Sequence, residues 1–237
     1  MIVHVWRRGL EADLGPVIVA TGDPEIAHEI ETRGGISILT HRELPSGSDR
    51  AAAALEAFDP AAHYDTVINL QGDMPTIDPA VLRAAVAPLR DTQFDLATLA
   101  CRVRNNAEAQ RPSVVKIAME PADPSGQLYR ALYFSRFPVP FGSSHLFHHI
   151  GLYVYRRAVL RRYVATRRGE AEQAEQLEQL RALALGFSIA VTLVDTEPLG
   201  VDTEADLLEA RERLGGCGSQ LQPPELRVRS SCLPPSP

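Results

Sequence analysis

Three short stretches carry residue types suited to metal-assisted or anion-binding chemistry. The first is Asp65-Thr-Val-Ile-Asn-Leu-Gln71-Gly72-Asp73-Met74-Pro75. Apolar and β-branched residues fill 66–70 without a helical period, and Gly72 and Pro75 close the run. That pattern predicts a buried strand ending in a polar turn. An acid just past such a strand stands at the carboxyl edge of a sheet, where open α/β folds place their ligands. Asp73 is therefore a candidate for metal-bound chemistry, although an Asp in a turn also serves as a plain cap. The second stretch is Ser46-Gly47-Ser48-Asp49-Arg50. A Ser-Gly-Ser turn at a helix start offers backbone N–H groups to an anion or a base edge, and Arg50 on the first turn reaches the same ligand. An ordinary capped loop would carry the same residues. The third is Gly200-Val201-Asp202-Thr203, which puts a second acid at a strand-to-helix junction.

The elements that must position these residues follow from periodicity and punctuation. A helix is predicted over 2–10, then a short buried strand over 17–21. Asp23-Pro24 fits N-cap and first turn of a helix to about Thr32, with Ile26, Ala27 and Ile30 inward. A strand over 36–39 completes a strand–helix–strand unit, which implies parallel pairing. Ser48 can cap a helix running to Phe58. Asp78-Pro79 opens another, with Leu82, Ala85 and Leu89 inward. Strands are predicted over 94–101, 114–118 and 128–134, the last two as an antiparallel hairpin. Residues 149–156 alternate cleanly, with His149, Gly151, Tyr153 and Tyr155 on one face. That face either lines a pocket or lies open to water. Helices are predicted over 156–167 and about 171–185. Glu175, Glu178 and Gln179 on the second read most simply as a solvated face. After a strand over 188–194, Thr203 and Asp206 form a capping-box-like pair before a helix, with Leu207, Leu208 and Leu214 marking its buried side. From Gly215 onward Gly, Ser, Pro and Gln dominate, which predicts a disordered tail over 215–237.

The 237 residues fit one large α/β domain or two small ones, and 45% hydrophobic content supports a full core. A net charge of −6 argues against a nucleic-acid surface. Cys101, Cys217 and Cys232 have neither metal spacing nor an even-numbered framework, so a reducing cytoplasm is the expected compartment. No apolar run is long enough to span a bilayer, and the opening residues are too short and mixed for a signal peptide. Lys116 is the only lysine.

Six segments in one order carry a family resemblance. They are Ser46-Gly-Ser-Asp-Arg50, Asn69-Leu-Gln-Gly-Asp-Met-Pro75, Ala131-Leu-Tyr-Phe-Ser-Arg136, His149-Ile-Gly-Leu-Tyr-Val-Tyr-Arg156, Leu177-Glu-Gln-Leu-Arg181 and Gly200-Val-Asp-Thr203. Residues 1–214 resemble the 3-deoxy-manno-octulosonate (KDO) cytidylyltransferases, also called CMP-KDO synthetases. The resemblance implies a Rossmann-like three-layer α/β domain of the nucleotide-diphospho-sugar transferase type, with a mixed, mainly parallel sheet. It implies transfer of CMP from CTP to KDO, releasing pyrophosphate, for lipopolysaccharide assembly, by a homodimer. Asp73 and Asp202 would hold Mg²⁺, which takes oxygen ligands and few carboxylates. Ser46, Gly47, Arg50 and Gln71 would contact CTP. Arg136, His149, Tyr153, Glu178 and Gln179 would line the KDO site. Arg136 or a protonated His149 would meet the sugar's carboxylate, while Gln179, Glu178 and Tyr153 bond its hydroxyls.

The chain departs from the family pattern in three places. The family opens with a strand and an Arg-, Gly- and Lys-bearing loop that grips the triphosphate. Here the match starts after that unit of roughly 30 residues, which implies impaired turnover by this chain. Met74 stands where the family usually has Glu, and the 141–147 loop lacks a basic residue often found there. The competing readings are a cytidylyltransferase for another acidic sugar such as sialic acid, and a remnant that only dimerises or binds nucleotide.

Overall fold

The computed structural model describes residues 1–124, 126–195 and 198–215. Helix α1 (Ile2–Ala12) leads to β1 (Ile18–Thr21). Asp23 then caps α2 (Pro24–Glu31) by accepting the Glu25 N–H at 2.9 Å, with Pro24 in the first turn, where no N–H is needed. Strand β2 (Ile36–Leu39) returns parallel to β1, as strand–helix–strand alternation dictates. Helix α3 (Gly47–Phe58) and strand β3 (Thr66–Asn69) follow, and Asp78 caps α4 (Pro79–Asp91) through the Ala80 N–H at 2.7 Å.

The remaining strands are β4 (Leu96–Arg102), β5 (Lys116–Pro121), β6 (Leu128–Ser135), β7 (Phe147–Arg156) and β8 (Ile189–Leu193), with the short helix α5 (Asn106–Ala109) between β4 and β5. They form a sheet in the order β3-β7-β4-β8-β6-β5. β5 and β6 make the expected hairpin. The sheet is mixed, as expected. Its β4–β8 ladder is parallel, whereas the ladders of β7 with β3 and β4, and of β6 with β8 and β5, are antiparallel. "Mainly parallel" thus holds for direction but not for neighbours. β3, β4, β5 and β8 point one way, and β6 and β7 are interleaved against them. No local pattern encodes that interleaving, because partner choice is a long-range event.

Helices cover both faces. On one side α3, α6 (Arg157–Val164) and α8 (Gln179–Ala184) pack Leu55, Leu160 and Leu180 onto Leu96, Phe134 and Tyr155. On the other, Leu82, Ala85 and Leu89 of α4 meet Leu99, Leu152 and Val154. This is the three-layer arrangement expected. A groove of about 390 Å³ runs between β1 and β3, walled by Val5, Trp6, Val19, Ala54, Val67 and Ile68. Both bordering strands have a ladder on one side only among the described residues.

Several local expectations change. Ser46, not Ser48, caps α3, accepting the Asp49 N–H at 3.2 Å. Ser48 is instead carried into the first turn and buried. The helix expected over 171–185 is two helices, α7 (Glu170–Glu175) and α8, broken at Gln176 in a left-handed conformation (φ 54°). That break turns Leu177 and Gln179 inward, so the solvated-face reading fails: Gln179 is buried and Glu175 and Glu178 are partly buried. The 149–155 face is likewise buried rather than open to water. Ile26 and Leu208 are exposed, and α9 (Glu204–Gly215) buries only Ala210. The predicted tail beyond 215 lies outside the described residues.

Lys116 is fully buried and donates to the Arg111 carbonyl at 3.0 Å and to the Arg136 carbonyl. Burial, with the nearby Arg136 charge, lowers its pKa against the pull of Glu175. Since it is the only lysine, an amine-reactive ester will modify the native protein at the N-terminus alone and Lys116 only after denaturation. Mass spectrometry of the two states reads this directly. Labelling of native Lys116 at the rate of a free lysine would contradict the packing.

Candidate active site

The carboxyl edge of β3 brings the two acids together. The chain turns after Asn69, and the Asp73 carbonyl accepts the Val201 N–H at 2.9 Å, tying the two acid-bearing turns. Asp73 is half-buried, and its Oδ1 has no hydrogen-bond partner among the described residues. Burial pushes its carboxyl above the usual range. Its own N–H pulls the other way, and the charge of Asp202 adds to the upward push. Asp202 is exposed and held from behind: Asp206 accepts the N–H groups of Asp202 at 3.2 Å and Thr203 at 2.8 Å. Two carboxylates that repel each other, one with a buried unpaired oxygen, make an incomplete donor set for a hard cation. Among the described residues no group of three or more His, Cys, Asp or Glu side chains is placed to hold a metal. A Mg²⁺ ion here would draw its other oxygen ligands from water and a phosphate ligand, its usual habit.

The start of α3 forms the neighbouring wall. Ser46 Oγ donates to Asp49 Oδ2 at 2.6 Å, closing the cap. Gly47 packs against the Gln71 side chain: a Cβ there would sit 3.0 Å from Gln71 Nε2 and 3.1 Å from Oε1. Only glycine permits that approach without displacing the amide. Ser48 Oγ lies 3.0 Å from the Tyr155 hydroxyl and accepts from Asn69 Nδ2 at 3.3 Å, which pins α3 to β3 and β7. Arg50 donates to Thr40 Oγ1, to the His41 carbonyl at 3.3 Å and to the Arg42 carbonyl at 3.2 Å. It clamps the 40–42 loop and, with Gly47 and Gln71, lines the 390 Å³ groove.

Ser46 also borders a second cavity, of about 280 Å³, shared with Pro45, Arg168, Glu172, Glu178 and Gln179. Ser46 of the residues assigned to nucleotide thus meets Glu178 and Gln179 of those assigned to sugar, while Gly47, Arg50 and Gln71 line the 390 Å³ groove instead. Glu178 Oε2 is buried without a partner among the described residues. Burial raises its carboxyl pKa, opposed by Ser46, Ser48 and Arg181. Its backbone is fixed by the Tyr163 hydroxyl, which donates to the Glu178 carbonyl at 2.7 Å. Behind Gln179 lie Tyr153, whose hydroxyl donates to Gln179 Oε1 at 3.0 Å, and His149, whose Nδ1 is 3.5 Å from Gln179 Nε2.

One expectation is corrected. His149 is buried, and burial, with a smaller push from His148, takes its pKa down to about 3. A neutral imidazole results, so the protonated His149 proposed to meet a carboxylate is not available at neutral pH. Arg136 lies outside the 280 Å³ cavity. Its guanidinium donates to the carbonyls of Glu175 at 2.8 Å, Pro112 at 2.9 Å and Gln176 at 3.3 Å. Arg168 was missed. It lines the cavity and donates to the Pro45 carbonyl at 2.5 Å. The basic pair Arg167-Arg168 ahead of Gly169 was the available signal.

Comparison with known proteins gives a consistent result. A family profile described as cytidylyltransferase matches residues 1–189. The 3-deoxy-manno-octulosonate cytidylyltransferase of Methylobacterium radiotolerans is 53% identical over 91% of this chain and 87% of its own length. That of Paramagnetospirillum magneticum is 48% identical over 90% and 87%. A solved CMP:2-keto-3-deoxy-manno-octonic acid synthetase complexed with CTP superposes with a TM-score of 0.81 at 36% identity, covering 91% of this chain and 87% of that one. A 4-diphosphocytidyl-2C-methyl-D-erythritol synthase from Anaerococcus prevotii, 12% identical with a TM-score of 0.58 over 90% and 89%, shares the fold.

Proposed function

The chain belongs to the cytidylyltransferase family, among the 3-deoxy-manno-octulosonate cytidylyltransferases, and we infer that it transfers CMP from CTP to KDO, releasing pyrophosphate. The observation that carries this is 53% identity over nine-tenths of the chain. The sugar's anomeric hydroxyl attacks the α-phosphorus, and the bond to the departing pyrophosphate breaks. No protein nucleophile is required, so the residues act by positioning and by placing charge.

We assign Asp73 and Asp202 to Mg²⁺, which when bound would offset the triphosphate charge. The unpaired Asp73 oxygen and the repulsion between the two carboxylates support this. The N–H groups of the α3 first turn, Ser46 and the Gln71 amide contact CTP, while Arg50 holds the adjoining 40–42 loop in place. Glu178 and Gln179 face KDO across the 280 Å³ cavity. Tyr153 and His149 act from behind Gln179, and Arg136 braces the cavity by joining α7 to the 112 loop. Arg168 is the basic side chain at the cavity, suited to the sugar's carboxylate.

Pyrophosphate release should require CTP, KDO and a divalent cation together and should stop on chelation. Release with sialic acid but not KDO would reassign the substrate. Release with neither would remove the activity.

The protein works in the cytoplasm, where CTP is made; no described helix is long and apolar enough to cross a membrane. It pairs as a homodimer. Leu132 and Tyr133 of β6 and Phe137 and Phe141 of the loop after it are exposed apolar side chains close in sequence, with Phe137 77% exposed and Phe141 fully so. Large apolar side chains left exposed this close together suit a contact surface. Light scattering should give twice the chain mass, and Phe137→Arg should shift the population to monomer. A monomeric parent protein would remove the dimer.

A further inference from the structure

The polarity of the hydrogen bonds behind the sugar cavity is set from a site no functional assignment has touched. Thr98 is fully buried in β4. The β4–β7 register slips there: Ala97 faces Val154, but Leu99 faces Ile150. β7 therefore bulges past Thr98 and turns carbonyls inward. Thr98 Oγ1 lies 2.8 Å from the Leu152 carbonyl, 3.1 Å from the Ile150 carbonyl and 2.9 Å from His149 Nε2.

A hydroxyl has one proton and two lone pairs. Carbonyl oxygens only accept, so the Thr98 proton is committed to the bulge. The hydroxyl can then meet His149 only as an acceptor, and His149 must carry its proton on Nε2. Nδ1 is left as a lone pair, and it faces Gln179. The Gln179 side chain must then turn its NH₂ toward His149 and its oxygen toward the Tyr153 hydroxyl, which donates to it at 3.0 Å. One N–H of that amide goes to His149. The other is left for the cavity that Gln179 lines.

We propose that Thr98 is a positioning residue: through the His149 tautomer it orients the Gln179 amide so that an N–H donor, not a carbonyl, is presented to the sugar. The site thereby selects an acceptor oxygen of its substrate, such as a carboxylate or keto oxygen, at that point. The proposal rests on the reading that Gln179 faces the acidic sugar.

The test uses the full chain with ¹⁵N-labelled histidine. Long-range ¹H–¹⁵N spectra of the parent protein should show His149 protonated on Nε2 alone at neutral pH, its signals assigned by their loss in His149→Asn. Thr98→Ser should keep that tautomer and the parent kinetics. Thr98→Val should give a tautomer mixture and raise KM for KDO by about tenfold, the effect of one lost buried hydrogen bond, with KM for CTP and kcat within about twofold of the parent. An Nδ1–H tautomer in the parent overturns the proposal whether or not any variant folds. So does a Thr98→Val protein that keeps the tautomer, or that loses CTP and KDO affinity equally. A parent protein with the Nε2–H tautomer but no pyrophosphate release would instead sink the functional reading alone.

Discussion

Asp73→Asn will abolish pyrophosphate release and, at the same time, raise the melting temperature of the ligand-free protein. The first effect follows from the charge the substitution removes. If Asp73 and Asp202 hold the cation that offsets the triphosphate, losing one carboxylate should lower kcat/KM by on the order of a thousandfold. The second follows from the direction of its pKa. Burial raises the Asp73 carboxyl, so the folded state holds that proton more tightly than the unfolded chain. Stability from this group is then present at acid pH and lost as pH rises through the folded value. At neutral pH the buried, partly unpaired carboxylate opposes folding, and Asn relieves it. The gain should shrink toward acid pH, where both proteins are neutral at this position. Adding CTP with Mg²⁺ should reverse the order, because only the parent gains stability from binding. An inactive variant that melts lower than the parent at every pH would show Asp73 to be a structural anchor instead of a ligand for a cation.

Arg157→Met will produce one of the largest stability losses of any single substitution, without touching the proposed site. Asp59 is buried at the end of α3, and Arg157 at the start of α6 reaches it with Nη1 to Oδ2 at 2.6 Å and Nη2 to its carbonyl at 2.6 Å. Burial alone would raise the Asp59 carboxyl. The N–H groups of Tyr64 and His63, the His63 ring and the Arg157 guanidinium outweigh it and hold the carboxyl well below its usual range. Removing Arg157 leaves a buried charge with a weakened set of partners, and the melting temperature should fall by roughly 10 °C. The sign with pH is opposite to that of Asp73. A depressed carboxyl contributes stability above its unfolded pKa and loses it as pH falls, so the gap between parent and variant should be widest at neutral pH and narrow below about pH 4. Asp59→Asn in the Arg157→Met background should recover part of the loss, since it removes the stranded charge. A gap that stays constant with pH would mean the loss comes from packing of the arginine stem.

The sequence by itself determined the elements and the chemistry-bearing turns. Asp23-Pro24 and Asp78-Pro79 start helices where their side chains cap them, and the apolar run at 66–70 ends in the turn that carries Asp73. These are local rules of a few residues' reach, and local rules hold wherever neighbours in sequence supply the partners. The six ordered motifs named the family because residue type and order are all such a comparison needs.

Only the tertiary structure decided which of those residues can act, and how. His149 and Tyr153 share a face by alternation, but the packing of α6 and α8 over that face buries them and makes His149 neutral. Arg136 carries free charge on paper, yet backbone carbonyls 24 to 40 residues away claim it. Gln176 looks like any helical glutamine, and its left-handed turn, which sends Gln179 inward, depends on burying Leu177. Thr98 reads as one more β-branched strand residue until a bulge in a strand 50 residues later brings two carbonyls and an imidazole to its hydroxyl. Solvent exclusion and hydrogen-bond polarity belong to groups that meet in space, so no window along the chain contains them.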